Sequence, residues 1–182
     1  MWIEGRSNVN SFRCTTEAIE GHGMIANTGT GGVRAASVVL TAGIDTFDCG
    51  KQGMNRDMQK ALKAEEFPEI RFELDSASID PDFASSVSHQ IVARGRLTLA
   101  GRERPVDMTV TAEPLPNKGF RVTGSLPLLM TDYGVKPPRK VLGLIRVRDA
   151  IVVHFDISTT QVAERPGSVR SEPPIHQTEI EE

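Results

Sequence analysis

The sequence predicts an all-β protein, an antiparallel barrel of eight strands with a short helix inserted after the third strand. Residues 91–112 contain two runs in which apolar and polar residues alternate, separated by a turn that contains Gly101. A period of two marks strands with one buried face. The chain also shows no repeated alternation of strands and helices, and about eight strands close comfortably into a barrel without exposed edges.

Composition limits the class of protein. The chain has 182 residues and a net charge of −3, which predicts a single domain over residues 1–162. Residues 163–182 are polar, rich in proline and acidic at the end, so they are expected to be disordered. Basic residues are scattered among acids, which argues against nucleic acid as a partner. No apolar run is long enough to span a membrane.

The first three predicted strands precede the helix. The N-terminal strand is expected to be long and bent and to reach Thr15, and the second runs over residues 17–25. Residues 27–32, NTGTGG, are expected to form a flexible loop, because glycine and asparagine tolerate positive φ angles. No GKS or GKT follows these glycines, so they do not predict a phosphate site. The third strand covers residues 33–45.

The period changes after the third strand. Met54, Met58 and Leu62 are spaced four apart, which places an apolar stripe on a helix of about three turns. Pro68 is expected to end this helix. A methionine stripe is more often core packing than a functional surface, but methionine also adapts to irregular guests. Both interpretations stay open.

Five further strands complete the predicted barrel. One begins at Glu69, two form the hairpin of residues 91–112, one spans 120–126 and the last spans 149–160. Two adjacent prolines lie within residues 127–144, which predict a crossover loop or short helical turn.

His154 and Asp156 share the outward parity of the last strand, and this pattern is more typical of surface residues than of a catalytic site. No catalytic residues are predicted.

The two cysteines, Cys14 and Cys49, belong to no CxxC pair, and the four histidines lack ligand-like spacing. No metal site is therefore predicted. A disulfide would stabilise the chain by about 4 kcal/mol in the chain-entropy model. Two independent buried thiols are equally compatible with the composition.

Several segments together resemble the YceI-like family. They are the helix with its following strand, MNRDMQKALKAEEFPEIRFELDSASI, the hairpin GRLTLAGRERPVDMTV, the turn LMTDYGV and the closing strand DAIVVHFDI. The resemblance extends from the N-terminal strand to about Thr160. The pattern IEGRSNVNSFRC is similar to a secreted branch whose first strand carries a cysteine.

This resemblance implies an extended, lipocalin-like barrel that encloses a long apolar channel. Family members are usually secreted to the bacterial periplasm, and some hold polyisoprenoid or quinone-type lipids. It therefore implies a periplasmic or secreted location, with a signal peptide removed from the chain. An oxidising compartment permits a disulfide between Cys14 and Cys49, which the resemblance favours.

The leading functional hypothesis is non-catalytic binding, transport or storage of a long apolar ligand, a polyisoprenoid or isoprenoid quinone, without any other cofactor. Such a site gains affinity from buried apolar area. The candidate lining residues are Met54, Met58, Leu62, Phe67, Phe72, Leu97, Met108, Phe120, Leu126, Val153 and Phe155. Each of them is individually more typical of core.

A second hypothesis is a structural or protein-interaction domain with a solidly packed barrel and no ligand. Its basis is the polar tail and the irregular segment around Pro137 and Pro138. A continuous cavity distinguishes the two hypotheses, because only a carrier needs one. Lys51, Arg139 and Lys140 are candidates to meet an anionic head group, although solvated loop charges are the simpler interpretation. The sequence leaves monomer and homodimer open.

Overall fold

The computed structural model describes residues 1–27, 33–78, 88–116, 119–140 and 142–160. Within these residues, nine antiparallel strands form one curled sheet, a half-barrel, and a tenth strand of two residues pairs with the last one. The strands are β1 (Trp2–Ser7), β2 (Ser11–Thr15), β3 (Ile19–Asn27), β4 (Val33–Gly43), β5 (Glu69–Ser78), β6 (His89–Leu99), β7 (Arg102–Pro114), β8 (Phe120–Leu129), β9 (Arg139–Lys140) and β10 (Ile145–Ser158). The all-β class is confirmed.

The order of strands in the sheet is β2-β1-β10-β8-β7-β6-β5-β4-β3. Over the described residues, the edge strands β2 and β3 do not pair with each other, so the predicted closed barrel is instead a curled sheet with two edges. Edge β2 is covered in part by the segment that leads into the helix, because Thr15 and Asp48 exchange backbone hydrogen bonds of 2.8 Å. The predicted flexible loop lies outside the described residues except for Asn27, and the predicted tail lies entirely outside them.

The count of eight strands is wrong at the N-terminus. The expected long strand turns back at residues 8–10, where the backbone N–H of Ser7 donates to the carbonyl of Asn10 at 2.7 Å. The Ser7 hydroxyl also bonds the Asn10 side chain at 2.9 Å. Serine and asparagine side chains stabilise such turns by local hydrogen bonds. Cys14 consequently lies in β2 and not in the first strand, and the helix follows the fourth strand instead of the third.

The hairpin of β6 and β7 confirms the alternation read from the sequence. Inward residues of β6, including Ile91, Ala93, Leu97 and Leu99, are buried, and the strands pair from His89 with Ala112 to Leu99 with Arg102. The turn residues Ala100 and Gly101 both have positive φ, 49° and 74°. Two consecutive positive φ angles are typical of the tight turn that matches strand twist.

The helix α1 (Gln52–Ala61) presents the predicted stripe to the core. Met54 and Met58 pack against the buried cluster, and Leu62, at the C-terminal cap, is 8% exposed. The helix ends at Ala61, before Pro68, because the chain turns at once through Lys63 with a positive φ of 54°. No helix in the described part of the chain has the length and apolar character needed to cross a membrane.

The chain is tightly packed where β4 and β8 finish. These two strands continue into single 3-10 turns, Ile44–Thr46 and Met130–Tyr133. Ile44, Phe47 and Tyr133, at most 2% exposed, form what we call the packed base. Gly134 ends the second turn with a φ of 69°. The predicted short helical turn within 127–144 is thus present, although β9 within the same segment was not predicted.

Candidate ligand-binding cavity

The concave side of the half-barrel contains a cavity of about 640 Å³. Side chains from all nine long strands and from α1 form its wall. Ligand pockets of drug-sized molecules typically span about 300–1,000 Å³, so the volume is that of a binding site and exceeds packing voids. The polar members of the wall are Ser7, Asn10, Thr41, Asp57 and Thr159. All other residues of the wall are apolar.

The structure brings most of the predicted lining residues together. The ten that contribute to the wall are Met54, Met58, Leu62, Phe72, Leu97, Met108, Phe120, Leu126, Val153 and Phe155. Phe67 does not. Its ring packs over the β6–β7 turn, where a Cβ added to Gly101 would lie 2.4 Å from the ring. Phe67 therefore holds the turn from outside the cavity.

Three phenylalanines on the wall each lie over a glycine of a neighbouring strand. A Cβ on Gly5 would lie 2.3 Å from the Phe12 ring, one on Gly95 would lie 2.6 Å from the Phe72 ring, and one on Gly124 would lie 2.6 Å from the Phe155 ring. Because glycine has no side chain, each ring approaches the sheet itself. The rings thus take less of the central volume than they would if a side chain stood beneath them.

Glycine at inward strand positions is the sequence signal for this arrangement, and the alternation of apolar and polar residues alone does not reveal it. Gly5, Gly95 and Gly124 occur at inward positions of strands, where glycine is otherwise unfavourable because it has no side chain to pack. An inward glycine in a strand marks a close approach of another group.

Four of the residues that line the cavity are used below for comparison with the packed base. We call Phe72, Met108, Val153 and Phe155 the lumen wall.

A disulfide between Cys14 and Cys49 joins β2 to the segment before α1 and confirms the predicted pairing. Both cysteines are buried and form part of the cavity wall. The Cys49 sulfur lies 3.8 Å from the Met58 sulfur. The disulfide therefore fixes the position of the methionine stripe relative to the sheet.

Polar bonds around Asp48 and Asn55 complete this attachment. The Asp48 carboxylate accepts hydrogen bonds from the Gly50 N–H and the Asn55 amide, at 2.9 and 3.1 Å. These two bonds, the Gly50 bond foremost, hold the pKa of Asp48 below its usual value. The side-chain carbonyl of Asn55 accepts a hydrogen bond from the Cys49 N–H at 2.8 Å. Neither periodicity nor composition predicts these hydrogen bonds, because they depend on the conformation of the loop before α1.

The cavity reaches the protein surface at Val9, which lines it and is also 63% exposed. Val9 lies in the turn between β1 and β2, beside the turn between β9 and β10. Asn8 ties the two turns together: its amide donates to the Leu144 carbonyl at 2.9 Å, and its side-chain carbonyl accepts from the Arg146 N–H at 2.8 Å. We call this opening the mouth.

Charged residues concentrate on the outer face of the sheet. Arg121 donates two hydrogen bonds to Asp156, at 2.8 and 2.6 Å, and holds the pKa of that carboxyl below its usual value. Arg71 and, less strongly, Arg96 lower the pKa of Glu73 in the same way. The charged side chains of these pairs lie on the solvent-facing side of the sheet. Among the described side chains of the cavity wall, Asp57 alone is charged.

The predicted outward position of His154 is matched by its contacts. Its ring stacks on Trp2 with 4.9 Å between centroids, and its Nε2 lies 3.6 Å from a Glu4 oxygen. Asp156 is engaged by Arg121 instead. Over the described residues, no group of three or more potential metal ligands comes together. Lys51 is at the N-terminal cap of α1, and Arg139 is exposed on β9.

Comparison with known proteins places this architecture. The model of the YceI-like domain matches residues 5–159. The chain belongs to the YceI-like family. No curated protein matches the sequence significantly. The family match covers the same strands, helix and cavity that the geometry defines.

Several solved structures share the fold. The chain is similar to Burkholderia cenocepacia BcnA, with 18% identity and a TM-score of 0.66 over 87% of this chain and 96% of that one. It is also similar to a polyisoprenoid binding domain from Saccharophagus degradans implicated in plant cell wall breakdown, with 12% identity and a TM-score of 0.63 over 86% and 91%. The Campylobacter jejuni YCEI protein aligns with 12% identity and a TM-score of 0.60 over 82% and 85%. At these identities the likeness concerns the fold.

Proposed function

We propose that this YceI-like protein binds a long apolar lipid of the polyisoprenoid or isoprenoid quinone type in its cavity and carries or stores it without catalysis. The observation that carries this proposal is the cavity of about 640 Å³ with a wall that is apolar except for five residues. Binding in such a site draws on buried apolar area, at about 25 cal/mol per Å² before ordering costs. The fold that the chain shares with the polyisoprenoid binding domain from Saccharophagus degradans supports the same ligand class.

The cavity also bears on the rival hypothesis of a packed interaction domain. A barrel that serves only as a scaffold needs to fill its interior, since unfilled space forfeits dispersion contacts. Here Phe72 and Phe155 lie over glycines in a way that keeps the interior open. An open interior favours the carrier.

The proposed location is the periplasm or the outside of the cell. The disulfide between Cys14 and Cys49 is compatible with it, because oxidising compartments preserve such bonds. We propose that residues 1–162 act as one lipid-binding domain.

Native mass spectrometry after purification without organic solvent tests the proposed function. We expect co-purifying lipid that an excess of a farnesylated fluorescent probe displaces. Met108→Trp enlarges a residue of the lumen wall and is expected to weaken probe binding at least about tenfold, because the indole occupies ligand volume.

The matched control is Val92→Trp. Val92 neighbours the Ala93–Met108 pair on β6 but is 48% exposed on the outer face, so this variant should bind the probe as the parent does. Absence of both lipid and probe binding in the parent protein, or equal loss in the two variants, would contradict binding in the cavity.

A further inference from the structure

The mouth carries apolar side chains that no other described part of the chain covers. Leu142 is fully exposed, Leu144 is 71% exposed and Val9 is 63% exposed, the first two in the turn between β9 and β10 and the third in the facing turn. We call these three residues the mouth tips. Exposed apolar residues are ordinary when scattered, but a cluster at the opening of a ligand site marks an interaction surface.

The backbone conformation of Leu142 is unusual for a leucine. Leu142 has a positive φ of 54°, followed by Gly143 with a φ of 88°. Asparagine or glycine would suit the first of these positions better, since a bulky residue with positive φ is strained. A strained, solvent-exposed leucine is a feature that folding does not require.

Basic residues surround the mouth tips. The segment from Lys136 to Arg148 contains five basic residues and no acid, and the segment from Arg6 to Arg13 contains two and no acid. Arg13 is paired with Glu4 on the neighbouring strand, whereas Arg139, Arg146 and Arg148 are exposed. This concentration of positive charge stands out in a chain whose net charge is −3.

We propose, on the basis of the function proposed above, that the mouth tips dock on a bilayer rich in anionic phospholipids and that the cavity exchanges its lipid with that bilayer. Leucine side chains enter the acyl boundary while arginines meet the phosphates, which is how interfacial protein segments bind membranes. The cavity wall reaches the surface at Val9, so a docked mouth opens onto lipid. A chain leaving the bilayer then stays out of water.

The charge pattern favours a bilayer over a second copy of the chain. A two-fold dimer through this surface would bring the same patch of each copy together. It would set the basic segments against each other, and like charges repel. An anionic lipid surface instead complements both the apolar tips and the arginines around them.

Vesicle flotation tests the docking. We expect the parent protein to float with vesicles of phosphatidylcholine and phosphatidylglycerol in equal parts, to float poorly with phosphatidylcholine alone, and to dissociate as salt rises. Leu142→Ser combined with Leu144→Ser should reduce partitioning about tenfold. The matched control combines Met24→Ser with Val92→Ser, two exposed apolar residues away from the mouth, and should float as the parent does.

Probe binding in vesicle-free buffer separates this proposal from the function on which it rests. The Leu142 and Leu144 variant should bind the farnesylated probe normally, yet transfer it from vesicles about tenfold more slowly than the parent. Equal flotation of both double variants, no flotation of the parent, or dimerisation through the tips without flotation would overturn the docking proposal even if the cavity binds the probe. Tip-dependent flotation of a protein whose cavity takes no probe would support docking and refute lipid carriage.

Discussion

The packed base and the lumen wall are made of the same kinds of residues and yet differ in what they touch. Ile44 and Tyr133 in the base are buried among other side chains. Met108 and Val153 in the lumen wall have protein on one side and the cavity on the other. Side chains that face an empty volume lack partner atoms there. The base therefore supplies stability, while the wall keeps apolar surface available to a guest.

Cys49 lies two residues after Phe47 of the packed base and also lines the cavity. Removal of its disulfide with Cys14 has the largest expected effect. Replacing both Cys14 and Cys49 by serine releases a loop with a sequence separation of 35. The free energy of unfolding should fall by about 4 kcal/mol, because the unfolded chain gains freedom. Urea unfolding of the variant and the oxidised parent measures the difference. A loss well under about 1 kcal/mol would mean that α1 is held by its other contacts alone.

Truncation inside each region tests the comparison directly. Ile44→Ala should lower the free energy of unfolding by about 3 kcal/mol, because it leaves a void in packed surroundings. Met108→Ala should lower it by only about 1 kcal/mol, since part of the side chain already faces the cavity. Urea unfolding of both variants provides the values. Equal losses would show that the wall is packed like the base.

Adding a methyl group beneath an aromatic ring tests how the lumen stays open. Gly124→Ala places a Cβ 2.6 Å from the Phe155 ring, so the ring must move toward the cavity. We expect a stability loss of about 1 kcal/mol and several-fold weaker probe binding. In contrast, a Cβ on Gly53 in α1 meets nothing within 4 Å. Gly53→Ala is the control, expected to stabilise the helix slightly and to leave probe binding unchanged.

Acid should lower stability through the ion pairs on the outer face of the sheet, since the four residues of the lumen wall carry no charge. This is the smallest expected effect. Arg121 and Arg71 keep the pKa values of Asp156 and Glu73 below their unfolded values. The stability these carboxylates contribute is present above about pH 4 and is lost as pH falls through their folded pKa values. The urea midpoint should therefore decline below about pH 4, and less steeply in Asp156→Asn. An unchanged slope in that variant would show that its ion pair contributes nothing.

Alternation and spacing were sufficient to predict the all-β class, the β6–β7 hairpin and the apolar face of α1. The break between β1 and β2 was missed because SNVN also fits a bent strand, and only the hydrogen bonds of Ser7 with Asn10 decide for a turn. Phe67 was predicted to line the cavity because it is aromatic and lies between the helix and β5. Its apolar character does not reveal that its ring packs over the β6–β7 turn. Base and wall cannot be separated from sequence, since both consist of apolar residues and only the folded structure shows which of them line the cavity.

The pairs of phenylalanine and glycine along the cavity have a consequence for variation within the family. A larger residue at the position of Gly5 or Gly124 is compatible with the fold only if the facing ring at Phe12 or Phe155 shrinks. These positions should therefore change together between relatives, two by two. Exchanging which strand bears the ring would move the bulky group along the cavity. The shape of the cavity could thus change between relatives without any change in the strands that enclose it.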